Sequence, residues 1–492
     1  MRSWVKGKFF SRIIFLDSRS KICEQLSMLT SPLCTDFYQL TMAYSYFREG
    51  IADEEACFHL SFRKNPFKGQ MTIAAGLETA ANYILHYRFS SAELEYLYTL
   101  RDAENHQYFS RAFIDYLAGL KLKLDIDAVP EGTPVFPLEP LIRVRGPILQ
   151  CQLLETPLLN IINFQSLIAT KAARLCLAAK DSTVVDFGLR RAQGFDGGLS
   201  ASRAAFIGGC QSTSNTFAGF QYGIPLNGTM AHSFIMRYSN EKEAFEAFAK
   251  AMPGNTIFLI DTYNSLKGLK NAILIANAQK EQGHNLAGIR LDSGNLVTLS
   301  KKSRVALDKA GFDGAKIVAS NELDEYQIMA LKKAKAPIDI FGVGTRLVTA
   351  FDEPALGGVY KLAAIRKKGE DWRYRIKLSD DRKKSTWPGI FQIRRLERNE
   401  QFIGDIIFDE VEGISLEDGL VGMGHDLLVK IFSEGRLVYS FPAIEVLRKR
   451  TMELLEKLPK KVKLIKWPKP YPVTIDKVLI DRKNKMEKNI YQ

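Results

Sequence analysis

From about residue 184 the chain alternates short runs of apolar, β-branched residues with longer stretches in which apolar positions recur every three or four residues. The short runs, at 184–189, 256–261, 287–292, 316–321 and 338–343, read as strands. The longer stretches, at 241–252, 266–282, 296–310 and 325–336, read as amphipathic helices; Leu266, Leu269, Ile273, Ile275 and Ala276, for example, fall near one face. Strand and helix in repeated succession predict parallel βα units, hence a barrel-like α/β domain over about 157–362. The flanks, 28–156 and 363–446, mix β-prone and Pro-rich stretches and are expected to form a second, mixed α/β domain together. Residues 1–27 read as an N-terminal extension, with Met28 a candidate start. Residues 447–492 read as a basic tail, Lys/Pro-rich between 457 and 472 and expected to form a solvated arm.

The strand candidates end in polar residues or glycine: Asp261-Thr262-Tyr263, Asp292-Ser293-Gly294, Ser320-Asn321-Glu322 and Gly342-Val343-Gly344-Thr345. In parallel α/β folds ligands bind at the carboxyl ends of the strands, so these four loops are expected to face one cavity.

Charge and composition narrow the picture. The net charge of +13 sits at the ends: residues 1–30 carry six Lys/Arg against two Asp/Glu, and residues 447–492 fourteen against five. The remaining 48 basic and 48 acidic side chains cancel, so the body of the chain has no nucleic-acid-binding charge. At 492 residues, 46% hydrophobic and 25% charged, the chain is long enough for two cores. Its six cysteines form no CxxC pair and read as reduced thiols of a cytoplasmic protein. Arg12 splits the apolar run near the N-terminus, against a signal peptide, and no run reaches the roughly 20 apolar residues that span a bilayer.

Four constellations carry candidate chemistry. His232 lies in Gly228-Thr229-Met230-Ala231-His232-Ser233, where small neighbours leave the ring accessible; alone, a histidine is more often structural. In Arg290-Leu291-Asp292-Ser293-Gly294 a guanidinium can take a carboxylate bidentately while Asp292 holds ribose hydroxyls or Mg²⁺; the plainer reading is an ion pair at a loop. Gly342-Val343-Gly344-Thr345 offers close backbone approach and a hydroxyl to a phosphate, though a short Gly-x-Gly is more often a tight turn. Arg190 and Arg191, in the glycine-rich 188–198 loop, are candidate anion anchors. Each is weak alone, and their convergence on one face gives them weight.

At these residues the chain resembles the nicotinate phosphoribosyltransferase family, over about 31–395. The matching segments are TDFYQLTMAYSYF (35–47), FRKNPF (62–67), DFGLRRAQGFDGGLSASRAA (186–205), GTMAHSF (228–234), DTYNSLKG (261–268), GIRLDSGN (288–295), FGVGTRLVTA (341–350) and KLSDDRKKSTWPG (377–389). The resemblance implies an irregular, TIM-like α/β barrel beside the flanking domain, in a homodimer with active sites between subunits. It implies transfer of the phosphoribosyl group of phosphoribosyl pyrophosphate (PRPP) to nicotinate in NAD biosynthesis, with Mg²⁺ as cofactor and ATP as co-substrate. Carried over by position, His232 resembles a histidine phosphorylated by ATP, and Thr229 and Arg290 resemble nicotinate contacts. Phe187 resembles a ring that stacks on the pyridine, and Tyr38 an aromatic contributed across the interface. Arg190, Gly344 and Thr345 fall to the PRPP phosphates, and Asp261, Asp292 and Ser293 to its ribose side, the two aspartates also as Mg²⁺ ligands.

The chain departs from the family pattern at Asp186, where Glu is usual, and at Asn264 and Asn295, where Asp is usual; the last two weaken the metal assignment. Ser214 stands where the related nicotinamide enzymes place an aspartate that would repel an acid. A nicotinamide or quinolinate phosphoribosyltransferase, or an inactive scaffold relative, are the alternatives.

Overall fold

The computed structural model describes residues 30–378, 385–415 and 424–491. The N-terminal extension, Cys23 and part of the KLSDDRKKSTWPG segment lie outside them. All five strand candidates form and lie in one parallel sheet: β1 (Thr183–Asp186), β3 (Ile257–Leu259), β4 (Gly288–Leu291), β5 (Lys316–Ala319) and β6 (Ile340–Val343), joined by a two-residue strand β2 (Ser212–Thr213). Each is shorter than its apolar run: the last residues of the first four runs enter the strand-end loops, and the 338–343 run loses its first two residues.

The four helix candidates form as α3 (Glu241–Ala251), α4 (Ser265–Lys280), α5 (Leu296–Lys309) and α6 (Glu325–Lys333), after α1 (Glu155–Ala179) and α2 (Gly194–Ile207). Each of the four starts on a side-chain cap: Asn240, Asn264 and Asn295 accept from the backbone N–H three residues on, and Asp324 forms a capping box with Gln327. Asn and Asp cap equally well, so Asn264 and Asn295 serve as helix starts.

The strands run β2-β1-β6-β5-β4-β3, every neighbour parallel, with β2 and β3 outermost. The expected mixed α/β fold with a parallel sheet is found; no closed barrel is found among the described residues. Closure needs continuous pairing around the ring. Here β2 offers two residues, and the chain that follows it adds a single parallel bridge, Leu226 to Thr213, between the short helices Thr216–Tyr222 and His232–Met236.

A second sheet of seven antiparallel strands takes Glu55–Phe62, Asp125–Ala128 and Ile142–Pro147 from before the parallel unit and Gly358–Arg366, Arg373–Tyr374, Val429–Ser433 and Arg436–Leu437 from after it. The 25-residue helix α1 touches both units, packing on α2, α6 and the Gly358–Arg366 strand.

The basic tail is not a solvated arm. Ile444–Lys457 and Lys477–Tyr491 are helices, and Val473–Ile475 pairs in parallel with Gln401–Asp409. Apolar residues spaced among the lysines drive this: Leu447, Leu455, Leu458, Val462 and Tyr471 are buried. The Tyr471 ring stacks on Phe136 at 4.0 Å and its hydroxyl donates to Asp405 at 3.0 Å. Tyr471→Ala is expected to cost about 3 kcal/mol of unfolding free energy, read from denaturant titration. A tail lying free on the surface would leave stability unchanged.

Candidate active site

Arg290, Asp292 and Asp261 form the centre of the site, at the carboxyl ends of β4 and β3. Arg290 is the third residue of β4, and its guanidinium donates to three neighbours: Nε to Ser320 Oγ (2.9 Å), Nη1 to Thr229 Oγ1 (3.0 Å) and Nη2 to Asp292 Oδ1 (3.0 Å). Asp292 Oδ1 also accepts from the Ser320 hydroxyl. Burial works against the Asp292 charge, but Ser320, Arg290 and His232 outweigh it and hold the carboxyl below the usual range. Asp261 ties β3 to β4, accepting on Oδ2 from Asp292 N and Ser293 Oγ, both at 2.7 Å.

Phe187 closes one side. It follows β1, is buried, and bonds to β6 through its N–H to Val343 O at 2.8 Å. Arg290 lies 5.4 Å above its ring, within cation–π reach. The ring rests on Gly342, where any Cβ would stand 2.5 Å from it, so this strand position tolerates only glycine while Phe187 keeps its place.

His232 lies at the start of the His232–Met236 helix. Its Nδ1 is 3.1 Å from Thr262 Oγ1, beyond β3, and its Nε2 is 3.7 Å from Asp292 Oδ2. The ring is about two-fifths exposed, with a side-chain value of 41%. Gly344 and Thr345 follow β6, with Thr345 Oγ1 donating to Glu322 Oε1 at 3.3 Å. Arg190 and Arg191 occupy the 3-10 turn Leu189–Arg191, exposed and, among the described residues, without an ion pair.

The structure thus brings His232, Thr229, Arg290, Asp292, Asp261, Ser293 and Phe187 together, with Gly344 and Thr345 on the neighbouring strand end. It does not bring in Tyr38. That residue sits on the Phe37–Arg48 helix, about half exposed, and lines a cavity of about 350 Å³ with Asp36, Thr156, Asn160, Asn163 and Leu356. Among the described residues no hydrogen bond joins it to the Arg290 cluster.

Ser320, Thr262 and Glu322 belong to the site without being singled out by sequence. Serine and threonine in a polar loop carry no signal of their own, and only the loop positions at strand ends pointed to them. Asp186 is a further member. Buried, it accepts from Gly188 N, Ser202 Oγ and Thr213 Oγ1, each at 2.8 Å, and so ties the turn after β1 to β2. Burial raises its carboxyl above the usual range, these bonds notwithstanding.

A hard divalent cation was tested against these carboxylates. Among the described residues no cluster of three metal-ligating side chains exists. Asp261 Oδ1 is buried without a hydrogen-bond partner and fits a cation that keeps most of its ligands from water and substrate phosphates. Asp292 does not fit, since its Oδ1 is engaged by Arg290 and Ser320 and its Oδ2 faces His232.

Comparison with known proteins gives this arrangement a family. Models of the nicotinate phosphoribosyltransferase N-terminal domain, family region and C-terminal domain match residues 33–163, 182–389 and 396–483. The last of these takes in most of the basic tail, which the sequence segments had left outside. Nicotinate phosphoribosyltransferase of Bacillus subtilis (strain 168) is 40% identical, over 90% of this chain and 92% of its own length. That of Dictyostelium discoideum is 36% identical, over 94% and 89%. The crystal structure of human nicotinic acid phosphoribosyltransferase superposes with a TM-score of 0.80 at 30% identity, covering 92% of this chain and 99% of that one. With three consecutive family models matched and relatives this similar along nearly their whole length, the chain belongs to the nicotinate phosphoribosyltransferase family.

Proposed function

We propose that this chain joins nicotinate to PRPP, forming nicotinate mononucleotide and pyrophosphate, with ATP hydrolysis coupled to the transfer and NAD biosynthesis as its setting. The observation that carries this reading is the state of Arg290. Of its five N–H donors, three are engaged by Ser320, Thr229 and Asp292. One remains on each terminal nitrogen, a fork spaced for a carboxylate, beside the Phe187 ring on which a flat heterocycle can stack. A carboxylate completes this fork and a neutral amide does not, which favours the acid over nicotinamide.

The chemistry asks little proton transfer of the protein. The pyridine nitrogen attacks the anomeric carbon with its own lone pair as the bond to pyrophosphate breaks, so no general base is required. The site's work is to align the two reactants and to stabilise charge on the leaving group. The backbone N–H groups of Gly344 and Thr345 and the Arg190 side chain supply donors for phosphate oxygens, and Ser293 and Asp261 take the ribose hydroxyls. Asp261 would hold a Mg²⁺ ion, which would supply electrostatic stabilisation of the departing pyrophosphate.

His232 is the acceptor of the γ-phosphoryl group of ATP, its ring set by Thr262 and Asp292; the N–P bond forms as the bond to ADP breaks. Tyr38 acts on the site of a second copy in a homodimer. Support comes from its exposure and from the exposed Phe195, Phe217, Phe220 and Tyr263, which suit an interface. The five described cysteines are unbridged, in keeping with a reducing, cytoplasmic setting.

Arg290→Lys keeps the charge and loses the fork. The KM for nicotinate is expected to rise roughly 10- to 100-fold, with the PRPP KM changed by less than about threefold. Equal effects on both substrates would refute a carboxylate contact. His232→Ala is expected to abolish stimulation by ATP and leave a slow ATP-independent transfer; a variant that still couples ATP hydrolysis to product formation would remove the histidine from the mechanism.

A further inference from the structure

Helix α1 carries a lysine that the chemistry above does not use. Lys171 is completely buried, and its Nζ lies 2.7 Å from Glu325 Oε2, itself fully buried, and 3.1 Å from Asp352 Oδ2. Arg174, on the same helix, donates from Nε to Glu325 Oε1 at 2.9 Å. The ring of Phe67, from the FRKNPF segment, encloses the ammonium at 4.8 Å. Two cations face two carboxylates, so the cluster is neutral. Burying such a cluster is no better for stability than apolar packing of the same volume, because desolvation offsets the attraction. Its value lies in where it holds its partners.

Both carboxylates adjoin the loops at the strand ends of the site. Glu325 begins α6, directly after the loop with Ser320 and Glu322. Asp352 follows the short helix Thr345–Val348, which also packs on α1. Further contacts complete a ring. Phe351, next to Asp352, carries the Arg346 guanidinium 3.7 Å from its ring centre; Arg346 Nε lies 3.8 Å from Glu322 Oε2; and Glu322 Oε1 accepts from Thr345. The loops are strained within this ring, with Asn321, Glu322 and Ala350 at φ of 94°, 45° and 47°. Non-glycine residues keep such angles only where their surroundings impose them.

We propose that Lys171 is a positioning residue which, through Glu325 and Asp352, fixes the spacing of the 320–325 and 344–352 loops and thereby the site for the phosphates of the phosphoribosyl donor. The inference deepens the functional reading and rests on it for the identity of the donor.

The test uses the full-length chain and varies PRPP and nicotinate separately. Asp352 is partly exposed, and its loss leaves Lys171 paired with Glu325, so Asp352→Asn probes one arm without opening the core. Its KM for PRPP is expected to rise on the order of tenfold, with the nicotinate KM within about twofold of wild type. Asp352→Glu, which restores the carboxylate, is expected to recover most of the loss. Lys171→Met is expected to show the same split, larger; should it fail to fold, the Asp352 pair decides. An unchanged PRPP KM in Asp352→Asn, or equal changes in both KM values, overturns the proposal. A wild-type chain that makes no product from nicotinate and PRPP would instead sink the functional reading. Calorimetric titration with inorganic phosphate then decides this point: weaker binding by Asp352→Asn supports it, and equal binding overturns it.

Discussion

The half-buried ion pair between Arg290 and Asp292 is the interaction on which the site depends. Two residues apart at the end of one strand, they project to the same face, and each would be costly to desolvate alone. Paired, they still leave two guanidinium donors unspent, and the carboxylate stays charged because Ser320 and Arg290 bond to it. Thr229, Ser320, Asp261 and His232 are all placed by reference to this pair. They come from three different segments that meet only when the parallel sheet forms.

The sheet explains why the segments meet. Five of its strands end in loops on one edge, and each of the helices α3 to α6 starts on an asparagine or aspartate cap, which fixes where the loop before it stops. The chain between β2 and β3, which bridges β2 at Leu226, carries Thr229 and His232 to the end of β4. The Lys171 cluster acts on the opposite side, where the loops after β5 and β6 approach each other.

Much of this was legible from the residues alone. Period-two and period-3.6 apolar patterns located the five strands and four helices, with ends displaced by at most three residues. The convergence of Asp261, Asp292 and Gly344-Thr345 followed from parallel topology. Whether the ring closes carries no such signal, because the two-residue β2 has no periodicity to read. The tail misled for a related reason: lysines dominate its composition, while Leu447, Leu455 and Tyr471, which decide its packing, are sparse. Ser320 and Thr262 were invisible as individuals, since a hydroxyl becomes part of a site only through its distance to a charge.

The measurement that bears most directly on the account is product formation from PRPP with nicotinate or nicotinamide, each with and without ATP, in Mg²⁺ buffer. The account predicts nicotinate mononucleotide as the product, formed faster with ATP and accompanied by ADP. Preference for nicotinamide, or no product from either, would contradict it.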